Sequence, residues 1–314
     1  MNFIGPSLYC GIGQHCKKYM QLFEPSVYID YNYEDINEKL IKDKPVFMFV
    51  IPTQQAFNAI ETVKQLTNNI IPMTVCETET VHEDYGKLFD YFDKIYAPSY
   101  FCKKILERQF NKPVGIIPPY IPVPKNILVD KLPKYTFYHI GNILDPRKNI
   151  NLLIKTFLEL NLENCDLVIK ATCKQEVKAD LPNVYIINEG LIDDLRITKM
   201  HLSFDCYVST SKSEGVGMGA LEACVNNKPV IVPEYGGAKD YIKTPFFIKC
   251  GRSKLEQDDF LFKKGMEWGE PDAESLKTHM KYCYDNKITN FNHDYTKNLI
   301  SSDMVRRAFS NAQT

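Results

Sequence analysis

Six short apolar runs alternate with amphipathic stretches through the first third of the chain: NFIG, SVYIDY, PVFMFVI, IIPMTV, KIYAPS and PVGIIP. They are rich in Val, Ile, Tyr and Phe and often bounded by proline, which is the pattern of buried strands. Between them, QAFNAIETVKQL, EDYGKLFDYF and SYFCKKILERQF read as helices. Apolar strands separated by helices require a parallel sheet covered on both faces. The alternation breaks at IPPYIPVPKNILVDKLPK, residues 117–134, which holds five prolines. Proline fixes φ and removes a donor, so this stretch is a poor helix or central strand and reads as a linker. The alternation then restarts with YTFYHIG, CDLVIKAT, NVYIINEG, DCYVSTS, PVIVPE and FFIKC as strands. NINLLIKTFLEL, LIDDLRITKMHL, MGALEACVNN and DAESLKTHMKYCYDN are the second set of helices. The expected fold is α/β, with two Rossmann-like parallel-sheet domains facing a cleft. The expected boundaries are 1–120 for the first domain, 121–134 for the linker, 135–290 for the second domain and 291–314 for a C-terminal helix. Residues 251–272 read as an irregular insertion.

The bulk composition excludes several classes. Lys plus Arg is 38 against 39 Asp plus Glu, a net charge of -1, so no basic excess points to nucleic acid. The longest apolar runs, such as Val46 to Ile51, fall far short of the about 20 residues that a membrane span needs. Peripheral membrane contact stays open. The 10 cysteines are scattered and form no Cys-x-x-Cys pair, and Met1 to Gly5 runs straight into a loop, so no signal peptide is expected. They are expected to be reduced thiols of a cytoplasmic protein. No Asp-x-Asp occurs, which removes the usual divalent-metal diphosphate site of one large group of sugar transferases. No metal or other cofactor is therefore expected.

Four segments carry chemistry-bearing residues where a strand leads into a helix, the place where parallel sheets bind ligands. In SKSEGVGMGALEA, Glu214 and Glu222 are separated by seven residues, three of them glycine. A helix beginning near Gly217 would offer free N–H groups and a positive dipole end to phosphate. Gly215, Gly217 and Gly219 would allow close backbone approach, and Glu222 suits the hydroxyls of a ribose. A plain strand–loop–helix turn with a solvated acid accounts for this segment equally well. In YHIGNILDPRKNINLLIKTF a strand ends at Gly141 and a helix starts near Asn149, with Arg147 and Lys148 at the junction. A cation there would neutralise a diphosphate leaving group, or simply be solvated. In PSLYCGIGQHCKKY the third glycine of the dinucleotide fingerprint is missing, so no NAD site is expected. Gly13 and His15 are candidates for the cleft. In TVCETETVHEDYGKLF, Glu77 and Glu79 follow a strand and are candidates for binding acceptor hydroxyls or moving a proton. A charged surface loop is the competing reading.

The stretch VSTSKSEGVGMGALEACVNNKPVIVPEYGGAKDYI, residues 208–242, resembles the retaining group 1, or family four, glycosyltransferases of the GT-B class. The resemblance is carried by Glu214, Gly215, Gly217, Glu222, Ala223, Pro229, Val230, Gly236 and Gly237 in order. IGNILDPRKNINLLIKTF is similar to the family's phosphate loop, with Lys148 at its lysine. The resemblance implies catalytic roles for Glu214, at the donor sugar ring, and Lys148, at the diphosphate. It implies a ribose contact for Glu222 and diphosphate contacts for the amides around Val216 and Met218, with Gly141, Asn142 and Arg147 completing the donor set. Asn142 stands where the family often has Arg, so one contact is missing or comes from Arg147. CETET stands where many members carry a His, which leaves Glu77 or Glu79 in its place. The implied activity is transfer of a sugar from a nucleotide-sugar to an acceptor hydroxyl of a carbohydrate, lipid or protein. A GT-B protein kept only as a binding partner and a sugar-nucleotide epimerase are the alternatives.

Overall fold

The computed structural model describes residues 1–124 and 127–313. Lys125 and Asn126, inside the expected linker, and Thr314, at the end of the expected tail, lie outside the described residues. The chain divides into two compact units. The first comprises residues 1–122, 254–267 and 299–314, and the second comprises 123–253 and 268–298.

Elements are numbered along the chain. In the first unit the strands are β1 (Asn2–Gly5), β2 (Val27–Asp30), β3 (Val46–Phe49), β4 (Ile70–Met73), β5 (Ile95–Ala97) and β6 (Val114–Ile116). Its early helices are α1 (Gly11–Met20), α2 (Ile36–Lys39), α3 (Gln54–Leu66), α4 (Asp84–Tyr91) and α5 (Tyr100–Phe110). The second unit holds β7 (Tyr135–Gly141), β8 (Cys165–Ala171), β9 (Val184–Asn188), β10 (Cys206–Val208), β11 (Val230–Pro233) and β12 (Phe247–Ile248). Its helices are α6 (Ile150–Leu160), α7 (Asp194–Ser203), α8 (Met218–Val225), α9 (Ala238–Tyr241) and α10 (Ala273–Asp285). After β13 (Cys250–Lys254) and β14 (Glu267–Pro271), the chain ends in α11 (Asp294–Leu299) and α12 (Ser302–Ala312).

The first unit is a parallel sheet in the order β2-β1-β3-β4-β5-β6. Alternate residues of β3 show why the strands read as unbroken apolar runs. Val46 and Met48 enter one core cluster, while Phe47 and Phe49 enter another. Successive side chains point to opposite faces, so both faces must be covered. The second cluster is closed by α12, whose Val305 and Phe309 are buried within it. Ser301 starts that helix by accepting from the N–H of Met304, at 3.5 Å. The tail is thus two helices rather than one, because a cap residue interrupts the period.

The second unit is a parallel sheet in the order β12-β11-β10-β7-β8-β9. Tyr135, Phe137, Leu167, Ile169, Cys206 and Ile231 build its core with α6 and α10. All ten cysteines are free thiols. Among the described residues, no helix is long and apolar enough to cross a membrane.

The stretch expected to be irregular, 251–272, is instead a two-stranded hairpin of β13 and β14. Leu261 from its loop packs on the core of the first unit, and the Glu79 N–H donates to the Glu267 carbonyl at 2.8 Å. CGRSK is mostly exposed and polar, and EWGEP sets half-buried Glu267 and Glu270 around a buried Gly269, which hid the strand period.

Candidate functional site

The second unit has a topological switch point. From β7 the chain moves outward to β8 and β9, then returns to lay down β10, β11 and β12 on the other side. The segments that leave the carboxyl ends of β7 and β10 are therefore neighbours, as ligand-binding loops in open parallel sheets are. They are 142–149 and 209–217, the two segments singled out by their composition. They are stitched together by backbone. The Lys212 N–H donates to the Arg147 carbonyl at 2.7 Å, and the Thr210 hydroxyl donates to the Asn149 carbonyl at 2.9 Å.

At this junction Lys148 and Glu214, 66 positions apart in sequence, form an ion pair. The pair is largely buried, with side-chain exposures of 15% and 20%. Burial alone would push the Glu214 carboxyl up. Lys148 and then Arg147 outweigh it and hold the carboxyl down at about 2. Arg147 is itself held by Asp145, with contacts of 3.3 Å from Nε and 2.9 Å from Nη2, and its Nη1 lies 3.4 Å from the Ser213 carbonyl. Asp145 also accepts from the Arg147 N–H at 2.9 Å, capping the short 3-10 turn 146–148. The stability consequence has a definite sign. A carboxylate held below its ordinary 4.5 stabilises the fold above that pH, and the contribution is lost as pH falls toward about 2. Urea midpoints measured between these pH values should therefore fall more steeply on acidification for the wild type than for Glu214→Gln. Equal slopes would show that the pair does not couple to folding.

Glycines shape the loop that carries Glu214. Gly217 has φ +80° and begins α8 without a side-chain cap, so the first amides of that helix are not covered by a capping oxygen. Gly236 has φ +81°, and a Cβ there would sit 2.8 Å from the Glu214 carbonyl oxygen. Its neighbour Gly237 donates to that same carbonyl at 2.7 Å. Gly236→Ala should cost about 1–3 kcal/mol through left-handed strain alone, and should also displace Glu214. A denaturation midpoint indistinguishable from wild type would contradict this placement. Gly215 and Val216 complete the turn, Val216 being buried, and Met218 opens α8. Gly141 ends β7. Asn142 is exposed and turned into its own loop, its Oδ1 accepting from the Leu144 N–H at 3.2 Å.

Glu222 lies on α8 and is backed by a relay that the sequence did not announce. His201, fully buried on α7, places Nδ1 2.9 Å from the Tyr138 hydroxyl and Nε2 3.7 Å from the Glu222 carboxylate. One ring nitrogen is thus fixed by Tyr138 while the other faces the acid. His201 and Tyr138 are isolated residues on a helix and a strand, so no spacing signal could have joined them.

In the first unit, a Cβ on Gly13 would fall 2.3 Å from the Ser7 carbonyl oxygen, so the glycine permits the approach of α1 to the loop before it. His15 is buried, with ring centroids 4.7 Å from Tyr19 and 5.5 Å from Phe49. Burial pulls it down to about 3, which keeps the ring neutral near pH 7. Glu77 and Glu79 sit in the loop after β4, both partly buried, with the Glu79 carboxylate 3.6 Å from Arg108. The switch point therefore gathers Lys148, Arg147, Glu214 and the glycines of the α8 turn in the second unit, while Gly13, His15, Glu77 and Glu79 belong to the first. Among the described residues, no group of three His, Cys, Asp or Glu side chains is placed to hold a metal ion.

Residues 126–252 match the family described as "Glycosyl transferases group 1". Comparison with curated protein sequences returns no match. Among solved structures, a mutant of TarM from S. aureus, in complex with fondaparinux, alpha-GlcNAc-glycerol and UDP, aligns with a TM-score of 0.61 at 15% identity. The alignment covers 86% of this chain and 55% of TarM, so the chain spans little more than half of that protein's length. The lipopolysaccharide outer core galactosyltransferase WaaB aligns with a TM-score of 0.61 at 13% identity, covering 99% of this chain and 98% of WaaB. An alpha,alpha-trehalose-phosphate synthase (UDP-forming) from Burkholderia xenovorans, in complex with glucose-6-phosphate, aligns with a TM-score of 0.60 at 9% identity, covering 89% and 75%. The fold is that of the GT-B glycosyltransferases. Within that fold, residues 126–252 are the part of the chain whose sequence is similar to the group 1 glycosyltransferases.

Proposed function

We propose that the enzyme moves a hexose-type sugar from a nucleotide-sugar to an acceptor hydroxyl, with retention of the anomeric configuration and without a resident metal. The observation that carries this reading is the Lys148–Glu214 pair at the switch point, beside a helix N-terminus that no side chain caps. The diphosphate of the donor lies against the first turn of α8, where the dipole favours negative charge. Lys148 and Arg147 offset the charge that grows on the leaving diphosphate, and Arg147 takes the place of the arginine absent at Asn142. Glu214 accepts from hydroxyls of the donor sugar, and Glu222, backed by His201, accepts from the ribose. As the C1–O bond to phosphate breaks, the acceptor oxygen bonds to C1 on the same face, and its proton passes to a donor phosphate oxygen.

The relatives support a nucleotide-sugar donor, since TarM is held with UDP and the trehalose-phosphate synthase is UDP-forming. The acceptor belongs to the carbohydrates, lipids or proteins, and the enzyme works in the cytoplasm, free or peripherally attached to a membrane. The test is a transfer assay with anomerically pure donors in the presence of EDTA, the new linkage being read from its ¹H coupling. The expected product keeps the donor's configuration and forms at the same rate with the chelator. An inverted product, or a rate abolished by EDTA, would overturn the retaining or the metal-free part of the reading.

A further inference from the structure

His139, on β7, is 2% exposed. Its Nδ1 lies 2.9 Å from the Val208 carbonyl oxygen, which can only accept, so Nδ1 carries the proton and Nε2 is left with a lone pair. Nε2 has no hydrogen-bond partner among the described residues. A buried acceptor without a donor costs about 1–3 kcal/mol, so its persistence needs a reason. The direction in which it points supplies one. A Cβ built on Gly141 would stand 2.8 Å from Nε2, so the tip of the imidazole fills the space that a side chain at 141 would take. Gly141 is the last residue of β7 and leads into the loop that carries Arg147 and Lys148. Lys148 and Glu214 both act electrostatically on the ring. The orphaned nitrogen is therefore buried beside Gly141, where the loop that carries Arg147 and Lys148 begins.

We propose that His139 Nε2 is a proton-linked contact of the diphosphate pocket: the imidazole takes one proton from solvent as the donor binds and donates it as a hydrogen bond to a phosphate oxygen. The inference rests on the donor site assigned above. It adds a residue that no motif of the sequence marked. No covalent bond changes; one proton moves from solvent to the ring, and the ring becomes an imidazolium paired with the diphosphate.

The electrostatics agree. Burial first pulls His139 down to about 4, the Val208 carbonyl raises it, Lys148 lowers it and Glu214 raises it again. The ring is thus neutral in the empty site near pH 7. It faces the ring of Tyr207 at 5.8 Å, and that hydroxyl is pushed well up by burial, so it stays protonated. An arriving diphosphate adds negative charge beside a nitrogen that is already desolvated and oriented, and so raises its proton affinity. Between about 4 and the raised value, donor binding takes up a proton, so donor affinity falls as pH rises through that window and levels off above it.

The experiment is calorimetric titration of the full chain with UDP-glucose, and in parallel with GDP-mannose, at pH 6.5 in two buffers of different ionisation enthalpy. The diphosphate of a nucleotide-sugar is a diester with no group titrating near neutrality, so any proton taken up belongs to the protein. The wild type is expected to take up a substantial fraction of one proton. Across the pH range in which this uptake occurs, its affinity should fall with rising pH by up to about tenfold per unit, as single-proton linkage requires. His139→Gln keeps a polar group at the same reach but cannot hold the charge; it should bind more weakly and without uptake. Binding by the wild type with no uptake, or equal uptake by His139→Gln, would overturn the proposal and leave the donor site standing. Should that variant fail to fold, ¹⁵N spectra of the histidine-labelled wild type decide. One of the six imidazoles must pass from neutral to protonated on binding, and six unchanged rings would refute the claim. If neither nucleotide-sugar binds the wild type, the proposed function fails first and this inference with it.

Discussion

Lys148→Ala should lose turnover on the order of 10²–10³-fold, the range seen when one electrostatic stabiliser of a developing negative charge is removed. The same substitution should destabilise the protein by up to about 3–5 kcal/mol, because the largely buried Glu214 carboxylate loses its direct partner and keeps only the weaker influence of Arg147. The two losses have different causes and can be separated. Neutralising the orphan in Lys148→Ala/Glu214→Gln should recover most of the stability, since no buried charge is then left without its partner. It should recover none of the turnover, since the leaving diphosphate still lacks its cation. Denaturant midpoints and transfer rates on the three proteins test this directly. Recovery of both properties in the double variant would mean that the pair serves the fold alone.

Phe309→Ala should be the most destabilising single change in the first unit, at about 3–5 kcal/mol. Phe309 is 1% exposed, and its ring meets those of Phe3, Tyr19, Phe23 and Phe47 with centroids 6.5, 5.2, 4.8 and 5.1 Å away. Three of these rings are themselves fully buried, so the site cannot collapse onto the space left behind. The affected face of the sheet is the one that carries Phe47 and Phe49, while the cluster built on Val46 and Met48 is untouched. A urea titration should show a lower midpoint. A midpoint within about 0.5 kcal/mol of wild type, the size of an ordinary surface substitution, would show that α12 does not close this core.

The parts of the molecule that were legible in the sequence are those with a period. Strands buried on both faces must be apolar without a break, and β1, β3, β7 and β11 are all visible as such runs. The start of α8 was legible because glycine adopts the left-handed turn at 217 most readily, and that of α6 because two cations crowd its entry. What joined those two segments was not local. Lys148 and Glu214 meet only because β10 is laid beside β7, and no spacing along the chain records that strand order. His139 and His201 were missed for a related reason. Each is a single polar residue inside an apolar element, indistinguishable in sequence from a satisfied core histidine until its neighbours are known. The hairpin of β13 and β14 escaped because β13 is largely exposed and polar and β14 sets half-buried glutamates among glycine and proline, so no apolar period 2 emerges.

The central claim is that the loops after β7 and β10 hold a nucleotide-sugar. The most direct measurement is the thermal midpoint of wild type, Glu222→Ala and Lys148→Ala with a panel of nucleotides and nucleotide-sugars. A ligand at 100 times its dissociation constant stabilises a fold by about 2.7 kcal/mol, well within reach of the method. One nucleotide class should raise the wild-type midpoint, and neither folded variant should respond to it. If no nucleotide shifts the wild type, or if both variants respond as the wild type does, the donor is not held by these residues.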